Sequence, residues 1–207
     1  WPAQTVSDRV AILYSVSHDI WYPDQPAAFV EKRLLWHALR HLGVQPDFLR
    51  EEDVEAGRLE KYQALFVADW CVTRKASAAI DTWTKRGGVL YLSGGAATRD
   101  EFDEPCTPAF ATGLWADSAH PLRQEDHSFN ERTDLPDIKP MTFVSIDLGG
   151  SSFKLPVLGC RLDIREGIGS RCAAFDDHKP AGTVVDYGQG KVVALGFMPM
   201  LAYGKLA

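Results

Sequence analysis

Residues 87–100, Gly-Gly-Val-Leu-Tyr-Leu-Ser-Gly-Gly-Ala-Ala-Thr-Arg-Asp, predict the end of a helix, a short buried strand and a glycine-rich turn in immediate succession. In an open α/β sheet, a turn of this kind lies at the carboxyl end of a strand, where ligands and nucleophiles usually sit. Ser93 occupies the position at which a catalytic residue would stand in such a turn. The segment therefore predicts an α/β fold, and it makes the chemistry of Ser93 the first question about function.

Three short apolar runs predict buried strands, because continuous apolar character is typical of strands covered on both faces, and residues 44–49 predict one further short strand. Helices are predicted between them, since Leu35, Leu39 and Leu42 share one helical face and Gly43 and Gly87 are natural helix ends. This alternation predicts a doubly wound, mainly parallel sheet. The three runs are residues 9–15, 64–68 and 89–92.

The remaining segments are predicted to be irregular or β-rich. Residues 16–25 are predicted to form a loop, and residues 51–60 a loop or one short helical turn. Residues 101–140 are rich in Pro, Asp, Glu and His and show no sustained periodicity. The chain after Met141 shows only strand and turn patterns, and Gly-Gln-Gly at 188–190 predicts a tight hairpin.

A length of 207 residues suffices for one α/β domain with a full core. We therefore expect a single domain over residues 1–207. Its core is assigned to residues 8–100 and 181–207, and an irregular, β-rich insertion to residues 101–180.

The composition narrows the range of partners. The formal net charge is −6 and no Lys/Arg cluster forms a stripe, which argues against nucleic acid as a partner. No apolar run approaches the roughly 18 residues that a membrane span needs, so no membrane partner is expected. The chain begins at Trp1 without a Met, which predicts a piece of a longer chain; the compartment of the parent protein is therefore not predicted.

No metal or cofactor is expected. The four cysteines include no C-x-x-C pair, which argues against structural zinc. Glu-Asp-His at 125–127, with His120 nearby, does not have the spacing of a known ligand set. Cys160 and Cys172 flank a predicted hairpin, and spacing alone leaves open whether they form a disulfide.

Three stretches together carry a family resemblance: residues 10–15, residues 62–68 with the following helix and Arg-Gly-Gly-Val-Leu, and residues 187–197. In this order and spacing the chain resembles glutamine amidotransferase-like domains, most of all the trimerisation domain of family-42 β-galactosidases. The resemblance implies a flavodoxin-like three-layer sandwich with a mainly parallel central sheet and a β-rich C-terminal appendage. It also implies a non-catalytic accessory domain of a larger, carbohydrate-acting bacterial protein, which contacts other domains of its parent chain or forms a homo-oligomer.

The resemblance also bears on catalysis. Amidotransferases of this fold carry a Gly-x-Cys-x-Gly elbow, and the matching residues here are Tyr-Leu-Ser-Gly-Gly, so that Ser93 replaces the nucleophilic cysteine. The late His-Pro-Glu that completes the triad in that family is absent from the sequence. A serine needs an adjacent general base to react at neutral pH. A small hydrolase or amidase using Ser93 or Cys71 as nucleophile is therefore the alternative hypothesis.

The segment after the first predicted strand is the second candidate site. It holds His18, Asp19, Trp21 and Tyr22, and it opens at the same sheet edge as the turn after Ser93. Aromatic rings stack on sugars, and Trp and Tyr are also enriched at protein interfaces. A carbohydrate-binding module and a domain or subunit interface both fit this segment, and we favour the interface. The candidate ligand or interface residues are His18, Asp19, Trp21, Tyr22, Gly94 and Gly95.

Overall fold

The computed structural model describes residues 9–23, 26–116, 122–123, 137–148 and 150–206. The strands are β1 (Val10–Tyr14), β2 (Asp47–Arg50), β3 (Ala64–Val67), β4 (Val89–Ser93), β5 (Leu122–Arg123), β6 (Thr142–Leu148), β7 (Ser151–Val157), β8 (Cys160–Arg161), β9 (Ser170–Phe175), β10 (Pro180–Tyr187) and β11 (Gly190–Leu195). The helices are α1 (Val16–Trp21), α2 (Pro26–His41), α3 (Glu51–Glu55), α4 (Arg74–Lys85) and α5 (Pro199–Leu206). Short 3-10 helices cover Arg58–Lys61 and Ala109–Ala111.

The organising element is a nine-stranded sheet in the order β2-β1-β3-β4-β11-β10-β9-β6-β7, and β5 pairs with β8 in a separate two-stranded sheet. The first five strands of the large sheet run parallel. The four predicted strands are confirmed as β1 to β4, and the α/β class is confirmed with them.

Helix α4 is capped at its first turn and packs one apolar face on the parallel strands. Thr73 caps the helix, because its side chain accepts a hydrogen bond from the backbone N–H of Ala76. Ala76, Ile80 and Trp83 lie on one face and are buried in the main hydrophobic core. The same core contains alternate residues of the strands beneath, such as Leu65 on β3. The opposite layer is built differently, since α2 and α5 share a second hydrophobic cluster.

The second half of the sheet corrects the expectation of a mainly parallel sheet with a separate appendage. The predicted hairpin over residues 188–190 is confirmed as β10–β11, and β11 pairs in parallel with β4. Strands β9, β6 and β7 then continue the same sheet with antiparallel pairing. The tight hairpin makes β10 antiparallel to β11, and the other edge of β10 pairs with β9, also antiparallel. The sheet is therefore mixed.

The segment after β1 also differs from expectation. The predicted loop over residues 16–25 is wrong for Val16–Trp21, which forms helix α1. Ser15 caps this helix through a hydrogen bond from His18 N to its side-chain oxygen, at 3.0 Å. Residues 51–60 contain the short helical segment that was one of the two predicted alternatives. All four cysteines are free thiols, so Cys160 and Cys172 form no disulfide.

Within the described ranges, none of the helices combines the length and apolar character needed to cross a bilayer.

Candidate functional site

Buried polar side chains lie where the four parallel strands end. Ser15, Glu51, Asp69 and Ser93 follow or close β1, β2, β3 and β4, and each is at most 3% exposed. This is the sheet edge at which α/β proteins usually bind ligands. Each of the four accepts or donates hydrogen bonds within the protein, and none of them faces solvent.

The turn after β4 is closely packed. The Gly94 N–H donates to Leu195 O and Phe197 O, both at 3.0 Å, and the Gly94 carbonyl accepts from Trp70 Nε1 at 2.7 Å. A Cβ on Gly94, where φ is +57°, would lie 2.7 Å from Cγ of Met198. Gly94 therefore uses its N–H to hold the chain after β11, and this N–H does not serve an oxyanion or a sugar hydroxyl. Gly95 continues the turn with a φ of +79°.

The Ser93 hydroxyl contacts a carboxyl group that the sequence analysis missed. Ser93 is 1% exposed, and its side chain is hydrogen-bonded to Glu31 on α2. The Glu31 carboxylate also accepts the backbone N–H of Leu201, at 3.0 Å, and that of Met200, both in α5. Burial raises the pKa of Glu31 to about 8, although these hydrogen bonds act in the opposite direction. Ser93 thus has an acidic neighbour, but no substrate reaches the pair from solvent.

A buried ion pair adjoins this site. Lys32, the neighbour of Glu31 on α2, places Nζ 2.6 Å from Oδ1 of Asp69, and both side chains are at most 3% exposed. Asp69 also accepts the backbone N–H of Ser15 at 2.9 Å. Burial raises the pKa of Asp69, opposed mainly by the positive charge of Lys32. The pair therefore ties α2 to the ends of β1 and β3.

The second candidate nucleophile is unreactive in this environment. Cys71 is fully buried, and its Sγ lies 3.7 Å from Oδ1 of Asp103. Burial and the negative charge of Asp103 raise the pKa of this thiol to about 12. The thiolate is the reactive form of cysteine, and it is not populated at neutral pH with such a pKa.

Three of the four residues singled out in the 16–22 segment bond within the protein: His18 is buried, and Asp19 and Tyr22 are partly buried. His18 is 2% exposed; its ring stacks on Tyr22 at 5.2 Å between centroids, and its Nδ1 accepts the Trp70 N–H at 3.2 Å. Asp19 accepts a hydrogen bond from the Tyr14 hydroxyl. Tyr22 donates its hydroxyl to Asp103 at 2.7 Å. These contacts hold the segment in place. Because His18 is buried, its ring does not reach a sugar hydroxyl in solvent.

Trp21 differs from the other three candidate residues of the segment because its ring faces solvent. It is 48% exposed, and its Nε1 donates to the carbonyl of Glu101 at 2.9 Å. Ile20, which precedes Trp21, and Phe102, which follows Glu101, are 68% and 63% exposed. We call Ile20, Trp21 and Phe102 the Trp21 surface. The hydrogen bond from Trp21 to Glu101 fixes the two segments relative to each other.

In the part of the chain that the structure describes, no group of three or more His, Cys, Asp or Glu residues is placed to hold a metal ion. The sequence cluster at 125–127 with His120 lies outside the described residues.

Comparisons with known proteins support the fold. No protein-family profile and no curated protein matches the chain. A solved β-galactosidase from the haloarchaeon Halorubrum lacusprofundi matches with a TM-score of 0.72 and 17% identity, covering 100% of this chain and 30% of that one. A GH42 β-galactosidase from G. stearothermophilus matches with a TM-score of 0.58 and 18% identity, over 91% of this chain and 27% of that one.

A third match is to a shorter chain. The cytoplasmic protein STM3548 from Salmonella typhimurium has a TM-score of 0.54 and 16% identity, covering 78% of this chain and 73% of that one. The chain thus spans about 30% of the length of the β-galactosidases that it matches. At these identities the comparisons establish a shared α/β fold with part of those enzymes.

Proposed function

We propose that this chain is a non-catalytic accessory domain of a larger, carbohydrate-acting protein, and that it contacts other subunits or domains through the Trp21 surface. The chain matches a segment that makes up about 30% of the length of solved β-galactosidases, which supports a place within a larger chain. The strand order β2-β1-β3-β4-β11 supports a flavodoxin-like parallel half of amidotransferase-like descent. In this proposal residues 1–207 form one domain, and the strands of the 101–180 insertion extend its sheet.

The observation that carries the assembly role is the exposure of Trp21 together with its fixed position. Aromatic rings held rigidly at the surface are the groups that dominate protein interfaces, because they bury much area at little cost in side-chain entropy. Ile20, adjacent to Trp21 in sequence, and Phe102, adjacent to Glu101, are further exposed apolar side chains of the two joined segments. The buried states of Ser93 and Cys71 argue against the hydrolase alternative, and the burial of His18 argues against the sugar-binding one.

Light scattering of the isolated chain tests the proposal. We expect a mass above the monomer value of 22.9 kDa that increases with concentration. The double substitution Trp21→Ala, Phe102→Ser should return the mass to the monomer, since it removes both aromatic rings of the Trp21 surface. Leu42→Ser is the control, because Leu42 is 78% exposed at the end of α2, outside this surface. A wild-type chain that is monomeric at every concentration refutes the subunit role of the Trp21 surface.

A further inference from the structure

An apolar groove lies between α2 and the edge strand β2, and it shares no residue with the Trp21 surface. Its volume is about 380 Å³, enough for an aromatic side chain together with a neighbouring apolar one. We propose that this groove receives the Trp21 surface of a second copy of the chain, a step that rests on the assembly role proposed above. We call it the α2–β2 groove, and its lining consists of Tyr14 from β1, Phe29, Lys32, Arg33 and Trp36 from α2, and Phe48 and Arg50 from β2.

The walls of the groove are aromatic and open to solvent. Phe29 and Phe48 are 49% and 48% exposed, and Trp36 follows Phe29 two helical turns later on α2. Strand β2 pairs with β1 on one side and forms the edge of the large sheet on the other. Exposed apolar surface of this kind is typical of interaction sites.

The charged groups and the hydroxyl in the lining already have partners. The Lys32 ammonium pairs with Asp69 at 2.6 Å, and the Tyr14 hydroxyl donates to Asp19. The groove therefore favours an occupant that is apolar and brings no polar atom in need of a partner, because an unpaired polar group costs free energy when it is buried.

The two guanidinium groups of the lining are engaged as well. Arg33 places Cζ 5.7 Å from the centroid of the Phe29 ring, and Arg50 forms an exposed ion pair with Glu52 at 3.9 Å. What they add to the groove is the apolar stem of each side chain, which packs well against an aromatic ring.

The Trp21 surface has the properties that this groove selects. The only polar atom in its three side chains is Nε1 of Trp21, which already donates to the carbonyl of Glu101 at 2.9 Å. Ile20 and Phe102 carry hydrocarbon side chains, and all three residues are largely exposed. Docking of this surface into the α2–β2 groove would thus bury apolar area on both sides and leave no hydrogen-bond donor of these side chains unpaired.

The position of the two surfaces on one chain fits a pair of copies. Tyr14 lines the groove, and helix α1, which ends at Trp21, begins two residues after it. The groove and the Trp21 surface are therefore neighbours on each copy. In a two-fold pair, the surface that one copy offers is received by its partner and the reverse, so that both contacts form at once.

Single substitutions on each side test the contact by light scattering over a range of concentrations. Trp21→Ala removes the ring that docks, whereas Phe29→Lys and Phe48→Thr each remove one wall of the groove. We expect each of the three to weaken self-association at least about tenfold, because a central aromatic contact dominates an interface. Phe143→Thr is the matched control for Phe48→Thr, since Phe143 is a 40% exposed phenylalanine on β6, near the opposite edge of the sheet. It should change self-association less than about twofold.

A mixing experiment then shows whether the two surfaces contact each other. The Trp21→Ala chain keeps its groove, and the Phe29→Lys chain keeps its Trp21 surface. Trp21→Ala, labelled with a fluorophore, should therefore bind unlabelled Phe29→Lys in an anisotropy titration, at least about tenfold more tightly than it binds the double variant Trp21→Ala, Phe29→Lys. Such rescue also shows that both variants are folded.

The outcomes separate this contact from the assembly role itself. Self-association that falls with Trp21→Ala but is unchanged by Phe29→Lys and Phe48→Thr overturns the groove as the partner site, and the assembly role of the Trp21 surface stands. Loss of self-association in all three variants without rescue on mixing also overturns the contact. A wild-type chain that is monomeric at every concentration overturns both the contact and the subunit role.

Discussion

Glu31→Gln is expected to change how the stability of the fold depends on pH. Glu31 is a buried carboxyl group with a pKa of about 8 in the folded chain, against an ordinary value of 4.5. Between these two pH values the folded chain holds the proton and the unfolded chain releases it. The unfolded state is therefore favoured increasingly as the pH rises, and the wild-type chain loses stability until the pH passes the folded pKa.

The size of the loss follows from the two pKa values. Between pH 5 and pH 7 the free energy of unfolding should fall by about 2–3 kcal/mol because of this group alone. Glutamine carries no titrating proton, and its carbonyl oxygen can still accept the N–H of Leu201. Burial of its hydroxyl group and the negative charge of Glu31 raise the pKa of Tyr91, which stays neutral throughout this range. The variant should thus lack this part of the pH dependence.

Urea unfolding at a series of pH values measures the effect. The difference in unfolding free energy between Glu31→Gln and wild type should grow in favour of the variant by about 2–3 kcal/mol from pH 5 to pH 7. The raised pKa values of Glu51 and Asp69 affect both proteins and cancel in this difference. Glu60→Gln is the control, since Glu60 is exposed and pairs with Arg86. Parallel stability curves for wild type and Glu31→Gln would refute the reasoning.

Two further substitutions test the buried polar groups at the same sheet edge. Lys32→Met should destabilise the chain by about 3–5 kcal/mol in urea unfolding, because it leaves the Asp69 carboxylate buried without its partner. Adding Asp69→Asn should recover more than half of the loss, and no recovery would contradict this view of the pair. Ser93→Ala should leave ester hydrolysis at the background rate and cost about 0.5–1.5 kcal/mol of stability through the lost contact with Glu31. A measurable fall in hydrolysis would restore Ser93 as a nucleophile.

The parallel half of the fold could be predicted because its signals are local. Strands β1, β3 and β4 are apolar runs, the short β2 (Asp-Phe-Leu-Arg) follows the helix that Gly43 ends, and Thr73 and Gly87 mark the ends of α4 within a few residues. The antiparallel half could not be placed in the same way. Which strand pairs with β10 depends on contacts between β9 and β6, far apart along the chain, and no periodicity within either strand specifies its neighbour.

Helix α1 was missed for a related reason. The aromatic and polar residues after Ser15 have weak helix propensity, and the helix forms because Ser15 caps it and His18 packs on Trp70. Such tertiary contacts override the local preference of the segment. The sequence did place Ser93 at the correct turn, but the turn alone did not show that Gly94 is fully engaged by the chain after β11.

The signal for Glu31 was present in the sequence. Glu31 lies four residues before Leu35 and therefore falls on the apolar face of α2, where a charged residue is unusual. A carboxyl group on a buried helix face must be protonated or paired, and either choice requires a polar partner from another element. In this fold the partners are Ser93 and the first turn of α5. The hydroxyl that first suggested a nucleophile thus satisfies a buried acid, and this explains why a serine stands at a position that would otherwise favour a small apolar residue.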